Sequence, residues 1–223
     1  MGQKISLKAK DGHALGGYKA EPSGKAKGGL VVIQEIFGVN QHVRNLCDQF
    51  AKAGYVAVAP ALFDRVKKDV DLGYSEADLN AGRECRQKLT DDMIVNDVNA
   101  AIDEAKKGGK VGLVGYCFGG YVAWLAATQA NGLAASICYY GGGIAPKKDF
   151  KPKVPVQLHF GDKDMAISLT DVGTVKAAHP QLPIYVYDDS GHGFCCDERA
   201  SYNADACKRA TSRTIAFLNQ HVG

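Results

Sequence analysis

Short apolar runs alternate with amphipathic stretches along most of this chain, and few folds accept that pattern. GLVVIQEI (29–36), YVAVAPAL (55–62), KVGLVGY (110–116), LAASICYYG (133–141), PVQLHFG (155–161) and PIYVYDD (183–189) read as strands, and ISLKA (5–9) begins an edge strand. Between them lie helical patterns. In HVRNLCDQFAKAG (42–54), Val43, Leu46, Phe50 and Ala53 fall on one side and Gly54 is a stop signal. IVNDVNAAIDEAKKGG (94–109) and GYVAWLAATQA (120–130) follow the same rule, and ASYNADACKRATSRTIAFLNQHV (200–222) closes the chain as a helix. Buried strands interleaved with helices predict an α/β fold: a mostly parallel, doubly wound sheet with helices on both faces. The 223 residues suit a single domain spanning 1–223. Ligands of such sheets bind beyond the carboxyl ends of the strands, so those ends are where a site is expected. Residues 62–92 are polar with weak periodicity and read as a lid or cap over those ends.

Composition excludes several classes. Net charge is +3 and no dense basic run occurs, so nucleic-acid binding has no electrostatic support. No apolar run approaches the roughly 18 residues of a membrane helix, and the first residues lack the apolar core of a signal peptide. MGQKIS fits a myristoylation pattern, but patterns this short match by chance, and the segment reads better as the approach to the edge strand. The seven cysteines are odd in number and scattered, which argues against a disulfide framework and for a reduced, cytoplasmic protein.

The stretch GLVGYCFGGY (112–121) carries the chemistry. Gly-Tyr-Cys-Phe-Gly has the form G-x-C-x-G, a nucleophile elbow with sulfur in place of oxygen. Glycines two before and two after the apex relieve the crowding of a sharp strand-to-helix turn. The apex thiol of Cys117 then stands above the sheet at a helix N-terminus, where the dipole favours a thiolate. The competing readings are a structural cysteine and a phosphate loop, and the latter lacks the Lys-[Ser/Thr] pair. An elbow nucleophile takes an acid and then a histidine later in the chain. HFGDKD offers Asp162 and Asp164, and SGHGF offers His192, all just past strand ends. His13, His42, His159, His179 and His221 fall within elements or in poorly placed loops.

QEIFGVN (34–40), GYCFGG (115–120), GDKD (161–164) and SGHGF (190–194) together resemble the dienelactone hydrolases, a cysteine-nucleophile branch of the α/β-hydrolase fold. The likeness runs from about Leu30 to Leu218. It implies Cys117 as nucleophile, His192 as base and Asp164 as the orienting acid, with Asp162 as the fallback. It implies that Glu35 contacts the resting thiol, holds it protonated and accepts its proton when substrate binds; the competing role for Glu35 is an ion pair, with Arg44 one partner. It also implies an oxyanion hole from the backbone N–H groups of Ile36 and Phe118.

Family members acting on dienelactone hold the substrate carboxylate with arginines. One lies in the segment that here reads LGYSEADLNAGRECRQKL, where Arg83 and Arg86 are candidates and Tyr74 adds a hydroxyl. The second lies four residues after the histidine, where this chain has Cys196; Arg199 is three residues further on. The competing reading for either arginine of the first segment is a solvated helix face. Cys195 and Cys196 lack the converging ligands of a metal site and read as packing, so neither metal nor cofactor is expected. Trp124, Tyr121 and the Tyr139-Tyr140 pair read as core or pocket wall. The expected activity is hydrolysis of a small lactone or ester, anionic if the arginines converge, through an acyl-thioester. The alternatives are a general carboxylesterase or thioesterase on the same fold and a non-catalytic thiol redox or binding module. No sequence feature sets an oligomeric state.

Overall fold

Eight strands form one sheet in the computed structural model, which describes residues 2–223. β1 (Gln3–Lys8) and β2 (Ala14–Ala20) make an antiparallel hairpin. β3 (Gly28–Ile33), β4 (Tyr55–Pro60), β5 (Val111–Tyr116), β6 (Leu133–Tyr139), β7 (Val156–Gly161) and β8 (Ile184–Tyr187) follow. The spatial order is β1-β2-β4-β3-β5-β6-β7-β8. β2 joins β4 antiparallel and every later pairing is parallel. β3, β4, β5 and β7 are buried at every residue, as continuous apolar runs between two helical layers require.

The helices are α1 (Gln41–Lys52), α2 (Glu76–Gln87), α3 (Asp91–Ala105), α4 (Phe118–Gln129), α5 (Leu169–Ala178) and α6 (Ala204–His221). α3 and α4 pack together on one face. α6 lies on the other: a Cβ on Gly29 would strike Ala105 at the end of α3, whereas one on its neighbour Gly28 would strike Val222 just after α6. The chain moves one way across the sheet from β3 to β4 and the opposite way from β4 to β5. Right-handed crossovers therefore put α1 and α3 on opposite faces.

Five of the six α-helices among the described residues start on a side-chain cap. Asn40, Ser75, Thr90, Ser168 and Asn203 accept from the first-turn amides of α1, α2, α3, α5 and α6. Ser75 with Asp78, and Ser168 with Asp171, close capping boxes. α4 has no side-chain cap, because Cys117 occupies its N-cap position.

The parallel core and its two covering layers match the expected architecture. The differences are local. β2, whose GG pair breaks strand alternation, and α5, whose apolar positions form no continuous stripe, were not expected. The segment 62–92 is a single turn of 3-10 helix (Leu62–Arg65), a loop and α2. Only Gly82 and Cys85 of α2 are buried, which is why its period is weak in the sequence. α2 lies against the loop after β3 so closely that a Cβ on Gly82 would overlap the Ile36 carbonyl. Cys195 and Cys207 are joined by a disulfide, S–S 2.01 Å, a correction to the reading of Cys195 as packing and of every thiol as reduced. Among the described residues, no helix is long and apolar enough to cross a membrane.

The elbow depends on glycine. A Cβ at Gly115 would overlap the Gly119 carbonyl, and one at Gly119 would sit 2.5 Å from the Ile33 oxygen and 2.7 Å from the Gln34 oxygen. Gly119→Ala is therefore expected to cost about 3 kcal/mol, lowering the thermal midpoint by about 6–12 °C, measured by calorimetry.

Candidate active site

The turn from β5 into α4 holds Cys117 at φ 56°, ψ −115°, a conformation that costs a non-glycine residue on the order of 1–3 kcal/mol. Its amide donates to the Tyr139 carbonyl (3.0 Å), and its carbonyl accepts from Gly120 (2.9 Å) and Tyr121 (3.3 Å). These bonds fix the backbone and aim Sγ away from the sheet.

His192 Nε2 lies 3.0 Å from Cys117 Sγ, and His192 Nδ1 lies 2.8 Å from Asp164 Oδ2. The Asp164 side chain is fully buried, and its other oxygen accepts from the amides of Ala166 (2.8 Å) and Ile167 (3.1 Å). Four acceptor sites on a buried carboxylate are thus largely used, and its direction is fixed. Asp162 is spent elsewhere: it accepts from the Ser190 amide (3.1 Å). Three residues separated by up to 75 positions in sequence meet through hydrogen bonds at the carboxyl ends of β5, β7 and β8.

The loop carrying His192 is tied down at several points. Ser201 Oγ donates to the His192 carbonyl (2.6 Å), His42 Nδ1 is 3.0 Å from Asp197, and the Cys195–Cys207 disulfide fastens the loop to α6. Tyr140, itself at φ 36°, sets its ring edge-on to the imidazole at 5.3 Å. Burial opposes charge on His192. The hydrogen bonds and charges of Asp164 and Cys117 outweigh it and raise the imidazole to about 10.

Glu35 is 2% exposed at the end of the β3 turn. Its Oε1 meets Arg199 Nη1 at 3.4 Å, and Oε2 is buried with no hydrogen-bond partner among the described residues. The thiol is bonded to His192 rather than to Glu35, which departs from the expected resting contact. Arg44 turns away to Asp71 (2.7 Å) and the Val39 carbonyl (2.6 Å). Burial opposes the charge on Arg199, but the charges of Glu35 and Cys117 hold it above its usual range. Tyr74 stays out of the cavity. Its hydroxyl accepts from Asn40 Nδ2 (3.1 Å), and the nearby Cys196 thiol is pushed up to about 12 by burial and then by Glu35.

A cavity of about 600 Å³ opens above Sγ. Arg83 and Arg86 from α2 and Arg199 line it, with Ile36, Phe118, Tyr121 and His192. Arg86 lies over the rings of Phe118 (4.9 Å) and Tyr121 (5.4 Å) and donates to the Leu89 carbonyl (3.2 Å). Among the described residues, the Arg83 side chain hydrogen-bonds only Asn80, at 3.5 Å. The Phe118 N–H is the first of α4, where no intrahelical acceptor exists, and neither it nor the Ile36 N–H is hydrogen-bonded among the described residues.

The site's remaining wall was not foreseen. Met165, Ala166, Gly142 and Gly143 come from turns after β7 and β6, and Leu79 from α2. The strand-end rule covers the turns, and no motif marks the residues.

Residues 15–222 match the model of the dienelactone hydrolase family. The chain belongs to that family. A carboxymethylenebutenolidase of Pseudomonas putida is 31% identical over 224 residues, covering 96% of this chain and 94% of the relative. A Synechocystis protein provisionally named a carboxymethylenebutenolidase is 36% identical over 216 residues, covering 88% and 87%. A Klebsiella pneumoniae crystal structure, provisionally named a dienelactone hydrolase, superposes with a TM-score of 0.83 at 28% identity, covering 98% of this chain and all (100%) of that one. The Pyrococcus furiosus esterase Pf2001, at 15% identity and a TM-score of 0.71, shares the α/β-hydrolase fold. This dienelactone hydrolase family member is thus a hydrolase of the carboxylic ester and lactone class.

Asp164→Asn retains an acceptor for the Ala166 and Ile167 amides but removes the charge facing His192. The raised value of His192 stabilises the fold fully below about pH 6.5, and that stability disappears as pH climbs toward about 10. The gap in thermal midpoint between the parent and Asp164→Asn should therefore be widest below pH 6.5 and close through that window, read by melting curves at stepped pH.

Proposed function

We propose that this chain opens small lactones and esters through a thioester on Cys117, with His192 as acid–base group and Asp164 orienting it. The observation that carries the reading is the unbroken relay from Asp164 Oδ2 through His192 (2.8 Å) to Cys117 Sγ (3.0 Å) under a cavity of about 600 Å³. His192 takes the thiol proton at Nε2, and imidazolium beside thiolate is the charge pair that the buried Asp164 favours. Sulfur attacks the carbonyl carbon, and the carbonyl electron pair moves to oxygen, which accepts from the Phe118 and Ile36 amides. Collapse re-forms the carbonyl and breaks the ester C–O bond. The leaving oxygen departs as enolate or alkoxide and takes the Nε2 proton. Water then gives one proton to Nε2 and its hydroxide to the acyl carbon, and collapse expels the thiolate, re-forming the imidazolium–thiolate pair, and yields a carboxylic acid that releases its proton to solvent as the carboxylate. In a lactone the two product groups stay on one molecule. An enol leaving group suits sulfur best, because it departs with little acid assistance.

Glu35 tunes the thiol in this reading. Its unpartnered Oε2 puts negative charge near the site, which disfavours a free thiolate and favours the imidazolium of His192, and Arg199 holds the other oxygen. Arg83 and Arg86 make an anionic substrate the better fit, with Arg83 the freer of the two to meet a carboxylate. The second reading is a general esterase, favoured by the apolar partners of Arg86, which is engaged by two rings and a backbone carbonyl.

Cys117→Ala is expected to lower kcat on an activated lactone by at least about 10³-fold. His192→Ala, briefly exposed to the same lactone, should accumulate an adduct of one substrate mass on Cys117 in intact-protein mass spectrometry. Full turnover by Cys117→Ala would sink the proposal. Arg83→Ala should raise KM about tenfold for a carboxylate-bearing ester and leave its neutral methyl ester unchanged; equal effects on both would select the general esterase.

A further inference from the structure

Two crossed pairs join the segment that runs from β3 into α1 to the loop that follows His192. Glu35 meets Arg199 at 3.4 Å, and further along, in α1, His42 Nδ1 meets Asp197 Oδ1 at 3.0 Å. In the first pair the loop supplies the cation, and in the second it supplies the anion. His42 is 4% exposed. A carboxylate only accepts, so Nδ1–H donates to Asp197. The other ring nitrogen, Nε2, is buried with no hydrogen-bond partner among the described residues. An unpaired buried nitrogen is a cost that an apolar side chain in the same space would not carry. What histidine adds at this place is therefore the bond to Asp197, and neither the relay nor the cavity uses it.

Arg199 is held weakly by its own contacts. Among the described residues, its guanidinium makes one hydrogen bond, the 3.4 Å contact with Glu35. It lies 5.8 Å from the Phe37 ring centroid and so close to Gly193 that a Cβ there would come within 2.8 Å of Nη1. Contacts this sparse leave the direction of the side chain to the backbone beneath it. That backbone is the turn closed by the Arg199 amide on the Cys196 carbonyl (3.1 Å), and Asp197 lies inside it. We propose that His42 is a positioning residue: through Asp197 it sets this turn, and the turn holds the Arg199 guanidinium at Glu35, near the sulfur of Cys117. The proposal rests on the reading of Cys117 as the attacking group and deepens it by naming what keeps a cation near its thiolate. Buried Glu35 disfavours a negative sulfur, and the guanidinium offsets that charge. Both Glu35 and Cys117 lie near enough for their charges to favour the Arg199 cation. Asp197 itself is 63% exposed, so its ion pair adds little to the stability of the fold and its effect is on where the loop sits.

The test measures the rates at which iodoacetate and iodoacetamide alkylate Cys117 at one neutral pH, with the modified residue mapped by peptide mass spectrometry. In both reactions the sulfur displaces iodide; the reagents differ in one carboxylate, so the ratio of their rates reports the cations near the sulfur. Arg199→Gln should lower the ratio about threefold, the remainder coming from Arg83 and Arg86. Asp197→Ala and His42→Leu should reproduce most of that fall, and His42→Asn, which keeps a donor where Nδ1 stood, should restore the parent ratio. In the Arg199→Gln background Asp197→Ala should change nothing further, because it acts through Arg199. Melting curves establish that each variant is folded, and exposed Asp197 carries the test should His42→Leu fail to fold. A parent ratio in folded Asp197→Ala, a parent ratio in Arg199→Gln, or a further fall when the two are combined overturns the positioning role and leaves the hydrolase reading standing. Failure of either reagent to modify Cys117 in the parent protein sinks the reading of Cys117 as the attacking group, and the role of His42 with it.

Discussion

The turn at Cys117 is the constraint on which the rest of the site depends. A strained residue at the junction of β5 and α4 is tolerated because Gly115 and Gly119 let the two arms approach to backbone contact. That approach does two things at once. It lifts Sγ out of the sheet plane to within 3.0 Å of His192, and it leaves the first amide of α4, at Phe118, without an internal acceptor. A wider turn would satisfy the cysteine backbone and lose both. The same geometry denies α4 a capping side chain, so its N-terminal end faces the cavity bare, with the positive pole of the helix beside the sulfur.

Around that fixed sulfur the structure builds two layers of charge. The inner layer is the relay from Asp164 to His192, held by amides and by a loop fastened to α1 and α6. The outer one is the pair of buried Glu35 and half-buried Arg199, with Tyr74 and Cys196 beside it. Arg199 is near enough to both Glu35 and Cys117 for their charges to hold its protonated form. A cation between a buried carboxylate and the sulfur lets both carry charge in a low-dielectric setting, where either alone would be costly. An incoming carboxylate that drew Arg199 toward itself would therefore change the balance at Glu35 and at the sulfur together.

How much of this was legible in the sequence follows from the range of each signal. The parallel core was readable because strands buried on both faces are apolar throughout. GYCFGG, GDKD and SGHGF were readable because a strained turn, an acid turn and a histidine loop each demand residue types with few substitutes. α2 was not, since a helix lying on the surface over a cavity buries too little to print a stripe, and only Gly82 and Cys85 sit inside. Tyr74 was misjudged for a related reason. Its hydroxyl looks available in sequence, yet its ring packs on Phe37 at 4.6 Å and its hydroxyl accepts from Asn40 (3.1 Å), outside the cavity lining. The Cys195–Cys207 pair was also out of reach, because 12 positions of loop and helix separate two thiols that only the closing helix brings together.

Cys196 is where this chain departs from the pattern of its resemblance, and the structure explains how the departure is tolerated. A thiol there is buried and turned to Tyr74 and Glu35, filling the space without supplying charge. The side chain of Arg199 returns over the Phe37 ring at 5.8 Å to reach Glu35 at 3.4 Å. That return requires the intervening residues to turn back. The hydrogen bonds from the Cys196 amide to Gly193 (2.9 Å) and from the Arg199 amide to Cys196 (3.1 Å) coil them into successive turns, and Asp197 is pinned outward on His42. Arg199 is thereby brought back to the buried carboxylate of Glu35.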